Sequence, residues 1–219
     1  MDLLHPGAVF VDVGANIGYF TVLAATTAGK VFAFEPDPEN FRLLEANLAL
    51  NALQRKVTAV PAALAEEDGE GRLYLSEDNL GDHQIYAAGD ARESVPIELL
   101  SGSHYLQGRL DSLDLLKVDT QGSEYGVMAG LMPLLSALAR PPRILLELTP
   151  LSLRHAGSSG RALVELLGEL RQSFWIVDHI EHRLVASSCE ELAGWCDDVD
   201  AVAGDAGFMN ILVGPTPAV

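Results

Sequence analysis

Two kinds of apolar pattern alternate along the chain. Short runs rich in β-branched residues, fenced by Gly, Asp and Asn, read as buried strands, and stretches in which apolar residues return every three to five positions read as amphipathic helices. The runs predict strands over Val9 to Val13, Val31 to Glu35, Val57 to Pro61, Leu115 to Asp119, Arg143 to Leu148, Phe174 to Asp178 and Phe208 to Val213. Between them the longer period predicts helices near Ile17 to Thr27, Pro38 to Asn51, Ser123 to Ala139 and Gly160 to Ser173. In the second helix Phe41, Leu44, Leu48 and Leu53 form one buried stripe. Strands that are apolar on both faces and alternate with helices predict an α/β fold with a mostly parallel, seven-stranded sheet covered on both sides.

Residues 69–110 break this rhythm. Arg72-Leu73-Tyr74-Leu75 and Val95-Pro96-Ile97-Glu98-Leu99 read as strands flanking a Gly- and Asp-rich loop, a β insertion between the third and fourth sheet strands. Long excursions at the carboxyl edge of a parallel sheet commonly shape a substrate pocket. Residues 214–219, with two prolines, read as a flexible tail.

Composition narrows the function classes. With 219 residues, 48% of them hydrophobic, the chain suits one domain over 1–219. The longest apolar run, Leu131 to Ala139, is broken by Pro133 and Ser136 and falls well short of the roughly 20 residues of a membrane span. No basic or apolar leader precedes the first strand, so a cytoplasmic location is expected. The two cysteines, Cys189 and Cys196, are too few for a disulfide framework, lack further nearby zinc ligands, and would share a face if their segment is helical. A formal net charge of −17, with Arg140, Arg143, Arg154, Arg161 and Arg171 scattered, disfavours a nucleic-acid partner.

The strongest chemical signal is the first strand running into Gly14-Ala15-Asn16-Ile17-Gly18, with a helix opening directly after. Glycines in such a turn leave room for a ligand close to the backbone. The dinucleotide fingerprint G-x-G-x-x-G is absent, because Asn16 and Tyr19 stand where its second and third glycines belong. Glu35, at the end of the second strand and about 20 residues after the turn, is placed to accept hydrogen bonds from both hydroxyls of a ribose. Turn and acid together define an adenosine site.

The runs DVGANIGYFT, FEPDPENFRLLEANLALN, VPAALAEEDG, LLKVDTQGSEYGVMAGL and ILLEL, in that order, resemble the FkbM-type branch of the class I methyltransferases, from about residue 6 to 150. The resemblance implies a Rossmann-like class I fold and S-adenosylmethionine as methyl donor. It implies that Asp12, Gly14, Asn16 and Gly18 surround the methionine part of the donor, that Glu35 holds the ribose, and that Ala63 and Leu64 sit by the adenine. It also implies O-methylation of a hydroxyl on a sugar, glycan or natural-product small molecule. The chain departs from the family pattern in two ways. Members usually carry an acid two residues after the Asp119 equivalent, where Gln121 stands here, and several dozen residues before the first strand, which suggests a compact member or an excised catalytic domain.

Acceptor-side candidates gather at the carboxyl ends of neighbouring strands. Asp119 follows one strand, Glu124 opens the next helix, and Glu147 lies on the following strand, so Asp119 and Glu147 should stand side by side. His83, within Gly81-Asp82-His83-Gln84 of the insertion, is suited to take a hydroxyl proton at neutral pH. Asp119 would orient that imidazole or the donor's amino end. No obligatory metal is expected, although Asp119 and Glu147 supply the hard oxygens magnesium prefers. Asn-Pro-Pro-Tyr-type clamps for DNA bases are missing at Asp119-Thr120-Gln121-Gly122. The alternatives are an NAD-dependent oxidoreductase, against which Asn16 and Tyr19 argue, and a non-catalytic donor-binding scaffold, for which only Gln121 argues.

Overall fold

The computed structural model describes residues 3–75 and 93–215. At its centre β1 (Val9–Val13) pairs in parallel with β2 (Lys30–Phe34) on one side and β7 (Leu115–Val118) on the other. β3 (Val57–Val60) extends the sheet beyond β2, and β8 (Arg143–Leu148) extends it beyond β7, again in parallel. Past β8 the direction changes. β11 (Met209–Val213) is inserted antiparallel between β8 and β9 (Phe174–Asp178), and β10 (Arg183–Ser187) closes the edge as an antiparallel partner of β9.

This sheet therefore has eight strands in the order β10-β9-β11-β8-β7-β1-β2-β3, where the apolar runs predicted seven. The extra strand, β10, is an exposed edge with the sequence Arg-Leu-Val-Ala-Ser, and it buries too little to read as a core run. Several predicted ends also move inward. β2 stops at Phe34 rather than Glu35, and β7 stops at Val118 rather than Asp119, so each acid stands just past the last ladder residue. The first helix, α1 (Tyr19–Thr27), starts two residues later than predicted because Gly18 is its left-handed N-cap.

Alternation along the strands divides the core between the two sheet faces. Val11, Val13, Phe32, Phe34, Leu116 and Val118 join one cluster with residues of α4 (Glu124–Ala137) and α6 (Gly160–Gly168). Phe10, Val31, Ala33 and Leu115 join the other with α1 and α2 (Pro38–Leu50). Of the predicted stripe, Leu44 and Leu48 are buried on α2, Phe41 is half-buried, and Leu53 is buried past the end of the helix. Pro133 lies inside α4 rather than ending it. The following N–H, of Leu134, donates to Ser103 Oγ at 3.0 Å.

The insertion forms a second sheet. β4 (Ala63–Ala65), which the apolar pattern does not reveal, pairs in parallel with β6 (Ser94–Ser101), and β6 pairs antiparallel with β5 (Gly69–Tyr74). The short α3 (Gly102–Leu106) returns the chain to the main sheet. On the far side α5 (Pro150–His155) and α7 (Cys189–Ala201) pack on α6. Both cysteines do face α6, since a Cβ on Gly160 would meet Cys196 Sγ and one on Gly168 would meet Cys189 Sγ.

Candidate active site

Where β1, β2 and β7 end, the chain turns away from the sheet around a cleft of about 360 Å³, within the range typical of small-molecule sites. Its lining includes Gly14 and Asn16 from the first turn, Glu35, Ala63 and Leu64 from β4, Leu73 from β5, and Lys117, Asp119 and Gln121 around the end of β7. Tyr19 and Phe20, at the start of α1, stand exposed at its rim.

The first turn is built from left-handed residues. Gly14, Asn16 and Gly18 have φ of 75°, 52° and 91°, a region that glycine occupies freely and asparagine tolerates. The N–H groups of Gly14 and Ala15 both donate to Phe34 O, at 3.1 and 3.0 Å, so the end of β2 holds the turn in place. A Cβ on Gly14 would lie 1.9 Å from Asp119 O. The room that glycine provides is therefore used first by the protein's own backbone, where the sequence suggested a ligand. Gly18 lies outside the cleft lining, and its missing Cβ makes room for Leu44 of α2.

Glu35 is only 5% exposed. Its two carboxylate oxygens accept the N–H groups of Asn16, at 2.7 Å, and Asp37, at 2.9 Å. Burial pushes this carboxyl up to about 7, against the two backbone donors and Lys117, which pull it down. Each oxygen retains a lone pair for a further donor.

Behind the turn lies a cation that the sequence reading did not single out. Lys117 stands 3.2 Å from Asp12 Oδ1 and 3.5 Å from Asp119 Oδ2, and donates to Gly14 O at 3.0 Å. Burial pulls its ammonium down, but Asp12 and Asp119 outweigh this and leave it above its ordinary value. Asp12 is fully buried, accepts Thr21 Oγ1 at 2.6 Å, and lies outside the cleft lining. Its place is thus to pair Lys117 and α1 rather than to face the cleft. A lysine within the otherwise apolar Leu115-Leu116-Lys117-Val118 was the available signal, because a charge buried in a central strand requires a partner.

On the other wall Asp119 lines the cleft, and Glu147, which lies outside the lining, stands beside it one residue past the Val118–Leu146 pair of β7 and β8. Gln121, in a left-handed conformation at φ 53°, reaches between them, and its amide nitrogen donates to Asp119 Oδ1 at 3.2 Å and Glu147 Oε2 at 3.3 Å. Glu147 is raised above the ordinary carboxylate range by burial and by the charges of Asp119 and Glu124. Glu124 is turned inward. It accepts the N–H groups of Thr120 and Gly122 and the Thr120 hydroxyl, so it fastens the turn ahead of α4. His83 lies outside the described residues. Among the described residues no cluster of three or more His, Cys, Asp or Glu is arranged to hold a metal.

Comparison with known proteins bears on this geometry. Residues 12–176 match the Methyltransferase FkbM domain. The hexuronic acid methyltransferase AglP of Haloferax volcanii is 29% identical over 170 residues, covering 75% of this chain and 63% of that protein. The 31-O-demethyl-FK506 methyltransferase FkbM of Streptomyces tacrolimicus is 29% identical over 159 residues, covering 58% of this chain and 60% of that one. The chain thus spans about three fifths of the length of both relatives. Among solved structures, Methyltransferase FkbM from Methylobacillus flagellatus aligns with a TM-score of 0.57 at 13% identity, over 97% of this chain and 44% of that one. The methyltransferase-like SMU.1697c of Streptococcus mutans, solved with S-adenosylhomocysteine, aligns with a TM-score of 0.51 at 12% identity, over 96% and 89%. These likenesses establish a Rossmann-like class I methyltransferase fold. With a domain match over well more than half its length, the chain belongs to the FkbM family of methyltransferases.

Proposed function

We propose that the cleft binds S-adenosylmethionine and that the enzyme transfers the methyl group to a hydroxyl of a sugar, glycan or natural-product small molecule. The observation that carries the donor reading is Glu35, a buried carboxylate on the cleft wall held in place by Asn16 and Asp37. Its remaining lone pairs suit the two ribose hydroxyls. Ala63, Leu64 and Leu73 offer an apolar wall for adenine, and the Gly14–Asn16 turn borders the space for the methionine portion. Asp12, Gly18 and Lys117 contribute by holding that turn.

When bound, the sulfonium supplies an electrophilic methyl group, and the new O–C bond forms as the C–S bond breaks. What remains for the protein is to align the acceptor, exclude water and take the hydroxyl proton. Asp119 and Gln121 border the acceptor side, and Glu147 accepts from Gln121 beside them. Glu147, with its raised affinity for a proton, serves as the base or shares that task with His83, and Gln121 bridges the two carboxylates. The names of the two relatives, one acting on a hexuronic acid and one on a 31-O-demethyl natural product, support this acceptor class. Among the described residues no helix is long and apolar enough to cross a membrane.

Thermal unfolding with added ligand tests the donor. A ligand at about 100 times its dissociation constant adds about 2.7 kcal/mol, which at this size is a rise in Tm of roughly 5–10 °C. S-adenosylhomocysteine should produce that rise and NAD should produce none. A rise with NAD alone would overturn the reading.

A further inference from the structure

A second cavity, of about 690 Å³, opens beside the donor cleft. Leu64 lines both, and the turn that gives Gln121 to the first gives Gly122 and Ser123 to the second. Its walls are the end of β4 with Glu66, the first turn of α4, and the Gly157–Ser159 turn before α6.

The cavity exists because α4 leans away from β4. At Gly130 the two are in contact, and a Cβ there would lie 2.1 Å from Ala65 O. One turn earlier, at Gly126, the same atom would meet only Glu66 N, at 3.9 Å. Packing thus explains the glycine at 130 and leaves the one at 126 unexplained. A glycine inside a helix costs roughly 0.5–1 kcal/mol relative to alanine. What it does achieve is an open cavity floor.

The walls also specify the chemistry of an occupant. Ser123, Tyr125, Ser158 and Ser159 supply hydroxyls, Glu66 adds a carboxylate, and the lining contains no Lys, Arg or His among the described residues. Two helices begin here. The buried Glu124 carboxyl occupies the start of α4, and Ser159 Oγ accepts the N–H of Ala162 at the start of α6, at 3.1 Å. We infer that this cavity is the acceptor subsite and that it takes an uncharged polyhydroxyl group, a neutral sugar ring, whose hydroxyl reaches the Asp119–Gln121 end of the donor cleft. This deepens the methyl-transfer reading and rests on it for the identity of the neighbouring cleft.

Ligand-observed saturation-transfer NMR tests the inference on the whole chain, with and without S-adenosylhomocysteine. The probes are the methyl glycosides of glucose, galactose, mannose and rhamnose, with methyl glucuronoside as the anionic comparison. At least one neutral glycoside should show saturable transfer and the glucuronoside should bind more weakly. Gly126→Leu, which fills the open floor, should weaken that glycoside roughly tenfold or more while calorimetry finds S-adenosylhomocysteine affinity unchanged. Glu66→Ala, at an exposed position, should also weaken it. Absence of transfer from all four neutral probes, preference for the glucuronoside, or undiminished binding in Gly126→Leu would each overturn the inference. A wild-type protein that fails to bind S-adenosylhomocysteine would instead bring down the donor reading, and the glycoside series without it would still judge the cavity.

Discussion

A carboxylate that holds two ribose hydroxyls serves best when ionised, yet burial pushes the Glu35 carboxyl up to about 7. In the free protein below that pH Glu35 is largely protonated, and donor binding must first release the proton. Above it the carboxylate is ready. The sign follows from linkage: S-adenosylhomocysteine affinity should fall as pH drops through 7, by roughly tenfold between pH 8 and pH 6. Glu35→Ala should bind more weakly at pH 8, by about 1.5–3 kcal/mol for hydrogen bonds to a charged group, and should lose the pH dependence. Isothermal titration across this range checks both. A wild-type profile as flat as that of Glu35→Ala would remove Glu35 from the ribose. Glu35 was legible in the sequence because its distance from the Gly14 turn is a chain-local signal. Its two backbone partners were not, because Asn16 and Asp37 reach it only through the left-handed turn and the exit from β2.

At the scale of elements, the packing of α4 on β4 yields opposite effects from one substitution. Gly126→Ala adds a methyl group that meets only Glu66 N, at an ordinary contact distance of 3.9 Å, and should stabilise the protein by about 0.5–1 kcal/mol through helix propensity. Gly130→Ala gains the same propensity but puts Cβ against Ala65 O at 2.1 Å, so α4 must shift from the strand. Overpacking of this kind costs about 1–3 kcal/mol. Urea denaturation should therefore move the midpoint up for the first variant and down for the second. Equal shifts in one direction would contradict the lean of α4 that opens the second cavity. Neither glycine could be sorted from sequence, since both sit at ordinary positions of one apolar helical pattern. β4 and β10 escaped for related reasons. β4 is buried but only three residues long, and β10 is exposed along most of its length, so neither carries a buried run long enough to read as a strand. The parallel strands of the main sheet were legible because burial on both faces makes them mostly apolar.

The whole molecule carries a net charge of −17, from 14 basic and 31 acidic residues. Several of its cations are already committed. Arg154 pairs with Asp200 at 3.0 Å, Arg161 with Asp197 and Glu165, and Lys117 with Asp12 and Asp119. The absence of a lysine- or arginine-rich run was readable from sequence, but the pairing of these residues depended on α5 and α6 meeting α7 and on β7 meeting β1. Nucleic-acid affinity at physiological salt comes largely from clustered protein cations that neutralise phosphates and release their condensed counterions to solvent, and sequence-independent binders typically reach dissociation constants of about 10⁻⁴–10⁻⁶ M. A surface of this charge, with those cations neutralised in place, should repel a phosphodiester backbone. Fluorescence anisotropy of a labelled single-stranded RNA and a labelled DNA duplex should therefore show no binding up to roughly 100 µM protein at physiological salt, the weak end of that range. Lowering the salt should not rescue binding, because weaker screening lengthens the reach of a net repulsion. Micromolar binding that weakens steeply as salt is raised would instead require a concentrated cationic face, and would move the acceptor from sugars and small molecules toward nucleic acid.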